Sequence, residues 1–151
     1  MMAPPSSSLK TVPDTNVVLA SALRPGPASP NREYFERWKQ NQFSILFSED
    51  TLLEYIEKLR EKGVSAETIK SFLVALLTLG VEVEIEFFHL PVYPVDTDDI
   101  AFVLCAENGE ASHLVSYDRH LREVAAYFPF RICTAEEFLD DLRQEIEEPP
   151  S

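Results

Sequence analysis

Cysteine and histidine are scarce in this 151-residue chain, two and three respectively. Cys105 and Cys133 lie far apart, each inside an apolar pattern, which excludes the close pairs of a zinc site and points to reduced core residues. His89, His113 and His120 form no ligand motif, which argues against zinc and against a histidine-centred hydrolase. Positive charge is also short: 13 lysines and arginines against 26 acids give a formal net charge of -13. Such a surface does not steer nucleic acid toward itself from afar, so any nucleic-acid site has to be local. No apolar run approaches the roughly 20 residues of a membrane helix, and the N-terminus lacks a basic stretch followed by an apolar core. A soluble, cytoplasmic protein with no membrane partner is expected.

An apolar fraction of 45% suits one compact domain. Residues 1–8, rich in proline and serine, read as a flexible tail, residues 145–151 read the same way, and 9–144 form the domain. A short strand at 9–12 meets Pro13, which stops it from continuing as an ordinary ladder, and 17–23 is helical before the turn-rich 24–30. Asn31 caps a helix whose Tyr34, Phe35 and Trp38 share core spacing, and 43–47 is an apolar strand. Ser48 caps a helix over 49–62 with an apolar stripe of Leu52, Tyr55, Ile56 and Leu59, and Gly63 ends it. A helix from Ser65 to Gly80 leads into 81–87, which alternates apolar residues with glutamate like a half-exposed strand. Asp98 is placed as the cap of a helix over 99–108, followed by a strand at 113–116, a helix at 121–126, a strand at 130–133 and a capping box from Thr134 to Glu137 that opens the last helix. Strands alternating with helices imply an α/β fold: a parallel sheet of about five strands sandwiched by helices.

In such folds ligands bind at the carboxyl ends of strands, where the strand order reverses. Asp14 follows the first strand and Asp118 the fourth. Asp99 shares a helical face with Phe102, Val103 and Ala106, so its carboxyl points toward the sheet. Carboxylates brought together repel, and a divalent metal relieves the repulsion; oxygen ligands suit magnesium or manganese. Such ions activate water against a phosphorus atom, which is the chemistry of phosphodiester hydrolysis. Taken one at a time, Asp14 and Asp99 also read as helix caps and Asp118 as a turn residue. Periodicity puts Glu54 opposite the apolar stripe of its helix, on the surface.

These residues resemble the PIN-domain family, in particular its small single-domain members, often toxins of bacterial toxin–antitoxin pairs. Asp14-Thr15-Asn16-Val17-Val18 looks like the family's opening motif, and 52–56 occupies the position of the helix bearing its glutamate, which assigns Glu54. Residues 96–102 are similar to its aspartate-led helix, with Asp99 in the favoured register and Asp96 and Asp98 as substitutes. Residues 114–121 look like its strand ending in a hydroxyl residue, here Ser116, two before an aspartate, here Asp118. The one departure is Pro13, where the family has an apolar strand residue. The resemblance implies a PIN-like fold and a magnesium- or manganese-dependent ribonuclease, often dimeric. Asp14, Asp99 and Asp118 would be the main metal ligands, Glu54 would hold metal or water, and Asn16 and Ser116 would orient those carboxylates. An RNA substrate, a cognate antitoxin and a homodimer are the implied partners.

Substrate phosphates call for local cations, and Arg24, Arg119 and His120 are the candidates that sequence position offers. Two rival readings stand beside the nuclease. One is a PIN-like domain that binds RNA or protein without cutting it, which the presence of all four acids disfavours. The other is a receiver-like signalling domain, which needs a lysine after a late strand; Lys70 is the last lysine in the chain.

Overall fold

In the computed structural model, which describes residues 3–23 and 29–147, five parallel strands form one sheet in the order β3-β2-β1-β4-β5. The strands are β1 (Lys10–Pro13), β2 (Ser44–Phe47), β3 (Val81–Glu82), β4 (His113–Val115) and β5 (Arg131–Cys133). The helices are α1 (Thr15–Leu23), α2 (Pro30–Lys39), α3 (Glu49–Glu61), α4 (Ala66–Leu79), α5 (Ile100–Asn108), α6 (Arg119–Glu123) and α7 (Ala135–Glu147). The chain builds outward from β1 to β2 and β3, then returns across β1 to lay down β4 and β5. The order therefore reverses between β1 and β4, and a crevice opens beyond their carboxyl ends.

Both faces of the sheet are covered. On one, α2 packs on α7, and Tyr34, Phe43 and Phe138 meet ring to ring. On the other, α3 packs on α4 and α5, with Tyr55 against Phe72 and Phe102. Phe138, Leu139 and Leu142 form the buried stripe of α7, each contributing about 1.5–3 kcal/mol on leaving water. Tyr34, Phe35 and Trp38 are core residues, as their spacing implies, and Cys105 and Cys133 are buried free thiols.

Pro13 is the last residue of β1, one position beyond the strand expected from the sequence. It pairs with Val115 of β4, while pairing with β2 extends only to Thr11. The missing N–H thus falls where the β2 ladder has already stopped, and the Pro13 carbonyl accepts a hydrogen bond from the buried Tyr55 hydroxyl of α3. That bond ties α3 to the last residue before Asp14.

Several boundaries differ from the sequence reading. Strand β3 covers two residues, not 81–87. Beyond Val83 the chain leaves the sheet, and Asn108 holds it instead by accepting from the N–H groups of Glu86 and Phe87. The helix expected to start at Asp99 is preceded by a 3-10 turn at Thr97–Asp99, capped by Asp96, whose carboxylate accepts from the Asp98 N–H. Ser29, with Pro30 behind it, stands at the α2 N-cap, so Asn31 lies inside the helix. Helix α6 starts at Arg119, with Asp118 as its cap. Helix α7 continues through Glu147, into the segment read as a tail, and Ser6 and Ser7 are hydrogen-bonded to Asn41 and Gln42. Gly109 allows close approach: a Cβ there would stand 2.7 Å from Leu46 Cδ1 and 2.8 Å from Val83 Cγ2.

Candidate active site

Asp14 leaves the carboxyl end of β1 and is 3% exposed. Its two oxygens are pinned from different strands: Oδ1 accepts from the Asn16 N–H at 2.7 Å, and Oδ2 accepts from the Ser116 hydroxyl at the end of β4. Ser116 Oγ in turn accepts from the Asp118 N–H at 3.0 Å, and Asp118 Oδ1 accepts from the His120 N–H. One hydroxyl thus fixes both the Asp14 carboxylate and the turn that presents Asp118. Burial raises the Asp14 pKa above the usual carboxylate range, hydrogen bonds from Ser116, Asn16 and Val17 oppose the rise, and the Asp118 charge adds to it.

Asp99, at the end of the 3-10 turn before α5, is 8% exposed, the inward direction its helical face implies. Burial, a hydrogen bond with Asp118 and the charges of Asp118, Asp14 and Asp96 push its pKa up to about 8. Neighbouring carboxyls resist ionising together unless a cation compensates. The second Asp99 oxygen, Oδ2, is buried with no hydrogen-bond partner, and so is the Thr15 hydroxyl beside Asp14.

A cleft of about 230 Å³ opens over these groups, lined by Asp14, Glu54, Asp96, Asp98 and Asp99 together with Lys58 and Lys62. Glu54 is half-buried on the flank of α3. Burial and the charges of Asp98, Glu57 and Glu61 raise its pKa, with Lys58 opposing. Asp96 and Asp98 are exposed at the rim, and Asn16 also lines the cleft. Asp118 does not line it but reaches it through Asp99.

Of the expected cationic contacts, Arg119 is 87% exposed with Glu123 as its partner, His120 lies beside the same glutamate, and neither lines the cleft. Arg24 lies outside the described residues. The cations that do line it, Lys58 and Lys62, were missed. The signal was available: Lys58 falls one helical turn after Glu54 on the same flank of α3, and Lys62, the C-cap, follows four residues later.

Among the described residues, no three His, Cys, Asp or Glu side chains stand close enough to share a metal ion as they are placed. The donor chemistry nonetheless fits a hard divalent cation. All the donors are oxygens, one Asp99 oxygen is buried without a partner, and the neighbouring acids hold the Asp99 carboxyl above the usual range, which a cation would relieve.

An all-parallel α/β sheet with buried acids gathered at its switch point defines a class of acidic-cleft proteins. The family profile described as PIN domain matches residues 10–120, and the chain belongs to the PIN-domain family. By structure it is similar to the crystal structure of VapBC2 from Rickettsia felis bound to a DNA fragment from their promoter. That match has a TM-score of 0.58 and 14% identity, covering 82% of this chain and 97% of that one, and it shows the shared fold. No curated protein matches the chain by sequence.

Proposed function

We propose that this protein is a metal-dependent endoribonuclease that hydrolyses RNA phosphodiester bonds at the acidic cleft. The observation that supports it best is the placing of two buried acids, Asp14 and Asp99, at the switch point, with Asp118 tied to Asp14 through Ser116 and one Asp99 oxygen left without a partner. In this reading those three aspartates hold magnesium or manganese. Glu54 completes the site from α3 by holding metal or water, and Asp96 or Asp98 is the substitute ligand at the rim. The bound ion would supply activation of water and stabilisation of the leaving oxygen. The chain's own residues set the geometry. Ser116 holds the Asp14 carboxylate and the Asp118 turn in one register, and the backbone of Asn16 fixes the other Asp14 oxygen. The likeness to VapBC2 and the family's small single-domain members favour a toxin of a toxin–antitoxin pair, cytoplasmic and dimeric, with a protein antitoxin as partner.

The test is cleavage of a pool of labelled single-stranded RNAs by wild type and Asp14→Asn in magnesium, manganese or chelator, with folding followed by circular dichroism. Metal-dependent cutting that disappears in the variant is the expected result. Unchanged cutting by Asp14→Asn would overturn the site, and metal binding without cutting would favour a domain that binds RNA or protein only.

A further inference from the structure

The cleft is not purely acidic. In a chain with twice as many acids as bases, Lys58 of α3 and Lys62, which caps its C-terminus, open into the same small volume as Asp14, Glu54 and Asp99. Neither is consumed by a strong ion pair. Lys58 Nζ is 3.4 Å from Glu61 and 3.8 Å from Asp98, at the loose end of exposed pairs, which are worth little. Lys62 has no ion pair or side-chain hydrogen bond among the described residues. The Lys62 N–H donates to the Lys58 carbonyl at 3.1 Å, which closes the last turn of α3 and puts the two stems on one side, about 6 Å apart at Cβ, a separation comparable to that of neighbouring phosphates along one strand. From Glu54 to Lys58 to Lys62, α3 therefore presents an acid at the acidic cluster and two point charges leading away from it. Ammonium groups hold phosphates as point charges without reading bases.

We propose that Lys58 and Lys62 form a phosphate subsite that binds the sugar–phosphate backbone of a single strand beside the bond presented to the acids. The inference rests on the nuclease reading of the cleft. The net negative surface elsewhere repels a polyanion, so these two contacts decide where along the molecule a strand settles.

The discriminating measurement is the salt dependence of binding, which needs no turnover. Fluorescence polarisation of a labelled 2′-O-methyl oligoribonucleotide, resistant to cleavage, is recorded over a range of potassium chloride with manganese present. The proteins are wild type, Lys58→Ala, Lys62→Ala and the double variant, with Lys70→Ala on α4 as a control for net charge and Lys58→Arg as the charge-preserving variant. Each lost phosphate contact lowers the slope of log K against log salt by about 0.7 for a single strand. The double variant should therefore lose about 1.4 in slope and bind more weakly at every salt concentration, with Lys70→Ala and Lys58→Arg resembling wild type. Circular dichroism melts exclude a loss of α3 as the cause. Equal slopes for the double variant and wild type, or no binding of the probe by wild type, overturn the subsite. The nuclease reading is judged separately, by the metal-dependent cleavage that Asp14→Asn removes.

Discussion

The two ends of the sheet treat their acids in opposite ways. At the amino end, Asp141 of α7 meets bases: its Oδ2 accepts from His113 Nε2 at 2.8 Å and from an Arg131 guanidinium nitrogen, and His113 Nδ1 faces the Ser112 hydroxyl at 2.8 Å. Burial would raise the Asp141 pKa, yet the hydrogen bonds from His113 and Arg131 outweigh it and hold it below the usual value. At the carboxyl end, Asp14 and Asp99 meet other acids and both are held above it. The same fold neutralises a carboxylate with basic side chains at one end and leaves Asp14 and Asp99 without a basic partner at the other. Clustered, unbalanced acids at a strand-end crevice therefore argue for a site more strongly than acid content does.

The widest separation between the two ends should come from removing one carboxylate at each. Asp118→Asn is expected to lower cleavage by at least about a hundredfold while the protein stays folded. Asp141→Ala should leave cleavage intact and cost about 1–3 kcal/mol in urea denaturation, by stranding the buried His113 donor. Cleavage lost equally in both would mean that the contrast reflects folding alone. Next in size is Ser116→Ala, which removes the donor to Asp14 and the acceptor for the Asp118 turn. Manganese affinity measured by calorimetry should fall about 10- to 100-fold, and an unchanged affinity would show that the hydroxyl does not position the ligands.

The smallest effect, a few degrees in melting temperature, concerns pH without metal. Asp99 in the folded state keeps its proton up to about 8, against 3.8 for the ordinary carboxyl, so the folded form binds more protons than the unfolded chain between those values. This end therefore loses stability as pH rises toward 8. His113, buried and lowered from 6.5, works the other way: the unfolded chain takes a proton that the folded one refuses, and stability falls as pH drops below 6.5. Thermal melts in chelator should show Asp99→Asn flattening the limb above 6.5 and His113→Gln flattening the limb below it. Identical profiles for both variants and wild type would remove the electrostatic contrast.

Much of this arrangement was legible in the sequence, for physical reasons. Asp14 and Asp118 sit next to short apolar runs, and in a parallel sheet strand ends converge. Asp99 shares its helical face with buried Phe102 and Ala106. Glu54 was not legible from periodicity, because Tyr55 and Leu59 dictate which side of α3 faces the sheet and the cleft opens on its flank, where a half-buried glutamate resembles a solvated one. The alternation over 81–87 reported which side chains are sheltered, as Val83 and Ile85 are, but shelter by a neighbouring helix end looks the same in sequence as pairing in a sheet. Around Asp96, Asp98 and Asp99, three acids in four residues offered equivalent caps, and only the chain path selects Asp96 as the cap and Asp99 as the buried group.

The hydrogen bond between Ser116 and Asp14 joins residues 102 positions apart, and this separation has a consequence during synthesis. A ribosome emits the chain from its amino end at about 5–20 residues per second, so Asp14, Glu54 and the lysines of α3 emerge well before the strand that fixes them. Until β4 pairs with β1, Asp14 lacks the Ser116 hydroxyl that fixes one of its oxygens. The cleft is therefore complete only after β4 has been made, and a chain cut short before His113 carries most of the chemical groups but none of their convergence.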